Sequence, residues 1–245
     1  MKKDQNITTT KQENPLINLL VNIVIPAILM MKGNKWFGLS AELSLICALS
    51  LPLFYGLYDL IIKRKYNFLS ILGFVSILLT GGIGLLKFPK EWIAIKEAAV
   101  PFIIGIAVLV SLKTRYPLIR TFIYSNNIID TQKVDNHLKE RGNTNAFNKL
   151  LVRCTWLVAF SFLLSTILNF ILAKVFIKSE TGTQAFTEEL GKMTAFSHLM
   201  IALPCTIILM IALWQLLKGI QKLTGLQLED IFHHNLSDKK TQTQK

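Results

Sequence analysis

Residues 37–62 read FGLSAELSLICALSLPLFYGLYDLII, and that stretch decides the fold class. As a helix rising 1.5 Å per residue it would run about 39 Å, more than the ~30 Å hydrocarbon core of a bilayer. Its only charged side chains are Glu42 and Asp59, toward its two ends. It therefore reads as a transmembrane helix that tilts or projects beyond the lipid. A strand is excluded, because a lipid-facing backbone must satisfy its own hydrogen bonds.

Working outward, five further apolar blocks follow the same logic, at 15–31, 68–86, a fourth that starts at 92 or 98 and ends at 112, 150–176 and 199–217. The expected fold class is all-α, a polytopic transmembrane helix bundle of about six spans over 15–217. A polar tail precedes it at 1–14, a loop interrupts it at 113–149, and a second tail follows at 218–245. Residues 130–141 (DTQKVDNHLKER), with Gly142 as a stop, predict a short surface helix. Residues 119–129 are apolar enough to lie at the lipid interface, and 218–232 fits an amphipathic helix continuing the sixth span. The block at 15–31 is read as a span and not a signal peptide: a mostly polar stretch of fourteen residues precedes it, and it contains Asn18, Asn22 and Pro26.

Composition agrees with a bilayer. Hydrophobic residues make up 51% of the 245 and charged residues only 17%, below the roughly 25% of soluble domains; the mean hydropathy is +0.44. The formal charge of +12 does not point to nucleic acid, because the basic residues flank apolar blocks where a binder would gather them on one face. Their distribution instead orients the chain. With the N-terminus inside, 19 of the 27 Lys and Arg fall on the cytoplasmic side, eight of them between Lys113 and Arg153. The outer side keeps eight, partly neutralised by five acids. Both termini are expected in the cytoplasm, with basic loop and tail facing anionic lipid.

Two kinds of feature stand out within the spans. Small or kinking residues recur every fourth position at Ser40, Ser44, Ala48, Pro52 and Gly56, and again at Ser76, Thr80 and Gly84 beside Gly81 and Gly82. Such spacing lets helices approach closely in lipid, either as the seam between the second and third spans or as a homodimer seam. Polar groups form the second kind. Glu42 and Lys96 lie at one depth near the outer face, where they would either meet in a polar vestibule or proton-responsive site or each snorkel to the interface. Asn18 and Asn22 share one helix face, and Asn169 lies deep in the fifth span. Amides so placed are expected to bond another helix or to line a solute path.

Catalytic signatures are missing. There is no GxxxxGK[ST], HExxH or GxSxG, and TGGIG at 80–84 sits inside an apolar helix. Cys47, Cys154 and Cys205 are isolated, and His137, His198, His233 and His234 lack ligand spacing. The expectation is no enzyme, no metal and no cofactor.

The segment 49–123 carries a resemblance. LYDLIIKRKYNFL leads to LLTGGIGLLKF, then FPKEWIAIK, a further apolar run and SLKTRYPLIR. This order resembles the bacterial intracellular septation protein A family, on Gly81, Gly82, Phe88, Trp92, Lys96, Ser111, Pro117, Leu118 and Ile119. The outer segment ETGTQAFTEELGKMTAFSH has no counterpart in that family. The resemblance implies an inner-membrane protein of envelope maintenance or cell division, acting through envelope or division partners. The alternative is a small secondary transporter or carrier for a solute or lipid, resting on Glu42, Lys96, Asn22 and Asn169. Convincing self-similarity between the two three-span halves is not found, which weakens it.

Overall fold

A computed structural model describes residues 18–61, 68–113 and 131–231. Among them the chain is helical without a strand: a π-helical turn Leu20–Val24, then α1 (Ile25–Phe37), α2 (Ala41–Ile61), α3 (Phe68–Leu85), α4 (Glu91–Ser111), α5 (Thr131–Glu140), α6 (Thr144–Phe176), α7 (Gln184–Thr224) and α8 (Leu228–Ile231). Four of these, α2, α4, α6 and α7, are long and apolar enough to cross a membrane, as an integral membrane protein requires, and the apolar helix Ile71–Leu85 is shorter. The expectations for the tail at 1–14, the interfacial stretch 119–129, Pro117, Leu118 and Ile119, His233, His234 and the end of the C-terminal tail lie outside the described residues.

The largest difference from the sequence reading is the start of α7. It begins at Gln184, so most of the segment 180–198 is helix, and the 41 residues run about 62 Å. Thr183 caps it, accepting the Phe186 N–H on Oγ1 at 3.1 Å. Phe186, Leu190 and Met193, at i, i+4 and i+7, are all buried. An amphipathic face with a good cap extends a helix past the apolar block that sequence alone marks out.

By its internal contacts the chain divides into two units, Met1–Lys96 with Leu172–His198, and Glu97–Ile171 with Leu199–Lys245. In the first, α1 and α2 form an antiparallel pair joined by three residues. Gly38 takes φ +63°, a left-handed turn that a side chain resists, and returns its N–H to Asn34 O at 2.8 Å. The Asn34 amide closes the turn on Leu39 O at 2.9 Å, and Ser40 Oγ accepts the Leu43 N–H at 3.3 Å to start α2. The unit's core gathers Met30, Leu45, Ile83, Ile93, Phe186 and Leu190 with their neighbours. Packing reaches backbone distance at Gly191, where a Cβ would lie 2.9 Å from the Ala27 carbonyl oxygen.

The second unit is built around α5. Val134 and Leu138, four apart, are buried against Phe147 and Leu151 of α6, Leu216 and Ile220 of α7, and Ile231 of α8. Gly142, at φ +66°, ends α5, and the Asn143 N–H bonds Leu138 O at 2.9 Å. The Asn143 side chain donates to Leu223 O at 2.8 Å, and Lys133 pairs with Asp230 at 2.9 Å. Further along, α6 and α7 exchange hydrogen bonds: Ser161 Oγ donates to Cys205 O at 3.1 Å, and Cys205 Sγ to Ser161 O at 3.5 Å.

Candidate functional site

Among the described residues, the most buried charge is Lys96 of α4, 8% exposed. Its ammonium donates to Thr80 Oγ1 at 2.7 Å and to Ser76 Oγ at 3.3 Å, both on α3. Thr80 Oγ1 donates onward to Ser76 O at 3.0 Å. Two residues of the every-fourth stripe therefore turn their hydroxyls to a cation. Hydrogen bonds to a charged group are worth about 1.5–3 kcal/mol each, enough to offset much of what a buried ammonium costs.

Glu42, at the depth of Lys96 in the sequence reading, lies beside Lys87, at 3.7 Å with both side chains about half exposed or more. An ion pair of that kind contributes about 0–1 kcal/mol. Depth along the helices does not say which groups meet. That depends on helix rotation, and α3 presents its hydroxyls to Lys96.

Both asparagine expectations resolve within single helices. Asn22 Nδ2 donates to Asn18 Oδ1 at 2.9 Å; Asn169 Nδ2 donates to Ser165 O at 2.8 Å and to its Oγ at 3.2 Å. A partner one turn away on the same face is already in place, whereas one on another helix must be positioned by packing. The small residues line seams inside the first unit. Ser44 and Ala48 are fully buried, and Ser44 Oγ lies 2.9 Å from where a Gly33 Cβ would be. A Cβ on Gly84 would meet Leu45, and one on Gly81 would meet Leu49.

A polar cluster that the sequence did not disclose lies at the 177–183 connection and the opening turns of α7. Glu189 accepts the N–H groups of Lys178 and Ser179, each at 2.8 Å, and the Ser179 hydroxyl at 2.9 Å. Lys90 pairs with Glu180 at 2.8 Å, and that hydrogen bond holds its ammonium above the usual lysine range. Thr181 ties the same loop to Phe88 O at 2.8 Å. The available signal was Thr183 followed by Glu188 and Glu189, a cap with acids in the opening turns of a helix.

Comparison with known proteins adds no relative. The chain matches no family model, no curated protein and no solved structure. Among the described residues no three His, Cys, Asp or Glu side chains gather as a metal set, and Cys47, Cys154 and Cys205 are free thiols. Chemically, the Lys96 cluster can clamp α4 to α3 or present positive charge to an anion, and neither use makes or breaks a covalent bond.

Proposed function

We propose that the chain is a six-span protein of the bacterial inner membrane, with both termini in the cytoplasm. On this reading it works without enzymatic chemistry in envelope maintenance or cell division, through envelope or division partners. The observation that supports membrane residence is the reversal of polarity along the long helices. Trp156 and Phe160 of α6, and Leu203, Ile207, Met210 and Trp214 of α7, are all more than half exposed, while Lys96 is buried on hydroxyls. Water would penalise such a surface and lipid covers it. The resemblance at 49–123 supports the envelope role, and the cytoplasmic charge excess supports the orientation.

Topology mapping tests the arrangement. In a variant with Cys47, Cys154 and Cys205 replaced, a cysteine at Thr10 or Gln244 should react with an impermeant maleimide only after permeabilisation. One at Ser179 should react in intact cells. Labelling of Thr10→Cys from outside overturns the orientation, and unchanged cell length and envelope integrity on removal of the protein from its host overturns the role.

The Lys96 cluster gives a second reading, a small carrier for a solute or lipid, some support. It requires that reconstituted vesicles take up a solute in a manner lost in Lys96→Met. Uptake equal to that of empty vesicles across a solute panel eliminates it.

A further inference from the structure

Helices α4 and α6 approach so closely that a Cβ on Gly105 would lie 3.1 Å from Phe162 Cβ. Beside that contact runs an open groove of about 160 Å³ between the two helices, walled by Phe102, Ile106 and Leu109 of α4 and by Trp156, Phe160 and Leu163 of α6, among others. A volume of that size, lined by apolar groups, accommodates about six carbon atoms, the scale of a benzene molecule. The one hydroxyl in its wall, Thr166, spends its proton on Phe162 O at 2.8 Å. The groove thus selects a hydrocarbon and offers a polar ligand little to bind.

The groove ends at Trp156, and the α6 face it occupies continues as Arg153 and Lys149. Positions 149, 153, 156, 160 and 163 are spaced four, three, four and three apart, so they form a single stripe. All five are exposed. Neither Arg153 nor Lys149 makes an ion pair or a side-chain hydrogen bond among the described residues, and no Asp or Glu occurs between Glu140 and Glu180. Asp230 of α8 is engaged by Lys133. A tryptophan at the mouth of a hydrocarbon groove, with two cations directly beyond it, has the order of a phospholipid read from acyl chain to phosphate. An arginine suits that phosphate because its planar fork donates two hydrogen bonds at once.

We infer that this groove binds one anionic phospholipid, with an acyl chain along Leu163, Phe160 and Trp156 and the phosphate held by Arg153 and Lys149. The inference rests on the membrane reading above. On the six-span reading, Lys113, two residues past the end of α4, lies on the same cytoplasmic side and adds a third cation.

The test is lipid titration of the full chain, purified in a neutral detergent, read by native mass spectrometry and by thermal stability. Phosphatidylglycerol should bind at least tenfold more tightly than phosphatidylcholine of the same chains, with one lipid retained per protein. Arg153→Gln with Lys149→Gln should remove that preference, and Arg153→Lys should restore part of it. Ile106→Trp, which fills the groove from an exposed position and leaves both cations, should weaken both lipids severalfold. Equal affinity for the two lipids, or an Ile106→Trp variant that binds phosphatidylglycerol like the parent, overturns the site. Inorganic phosphate should give no shift, and a shift equal to that of the lipid would mean an anion site without the groove. Failure of the underlying reading is separate: a chain that fractionates as soluble without detergent refutes membrane residence, whereas one that stays in the membrane and titrates both lipids alike refutes this site alone.

Discussion

The two units treat charge in opposite ways. In the first, polar groups are drawn into packed positions: Lys96 lies on Thr80 and Ser76, and Glu189 ties down the backbone of the 177–179 turn. In the second, the interior around α5 is hydrocarbon, and the charges of Lys149, Arg153, Lys218 and Lys222 stay exposed. A residue's charge in a lipid-facing chain therefore says little by itself. What decides its role is whether a neighbouring helix brings a hydroxyl or a carbonyl within reach.

That contrast can be broken where packing dominates. Leu138 is 2% exposed in the α5 core, and Leu138→Ala removes most of its contacts with α6 and α7. A loss of about 2–5 kcal/mol is expected, read by denaturant or thermal unfolding in detergent. A change below 1 kcal/mol would mean α5 is docked only loosely. In the first unit, Thr80→Val keeps the side-chain shape but strips Lys96 of its 2.7 Å acceptor. The expected cost is about 1.5–3 kcal/mol, and Ser76→Ala should cost less because its contact is longer. Equal effects would show that the hydroxyls are incidental to Lys96.

The smallest effect concerns the exposed link between α5 and α8. The Lys133 hydrogen bond holds the Asp230 carboxyl below its usual range, so the folded state favours the ionised form. Its contribution is present above the unfolded aspartate value near ~3.9 and is lost as pH falls through the lower folded value. Amide exchange in 228–231 should thus accelerate as pH drops below about 4 by more than the intrinsic pH trend, and Asp230→Asn should remove the excess.

The sequence located helices well where composition changes abruptly. The short helix expected at 130–141 is observed as Thr131–Glu140, because Gly142 ends it and its apolar pair has the 3.6-residue period. It failed where polarity continues through a helix: α7 crosses the border of its apolar block without a break, held by a threonine cap and a buried face whose partners are distant in sequence. The candidate site was legible by residue type and illegible by pairing. Ser76, Thr80 and Lys96 all stand out in the sequence, yet the first two as packing residues and the third as an intramembrane charge at the depth of Glu42.

Apolar length and the placement of charges, read from the sequence alone, determined an all-helical chain with segments able to cross a bilayer, since each helix must satisfy its own backbone in lipid. Tertiary structure alone decided which polar groups meet. A helix's rotation about its axis is set by side-chain packing against its neighbours, and that rotation turned Thr80 toward Lys96 and left Glu42 beside Lys87.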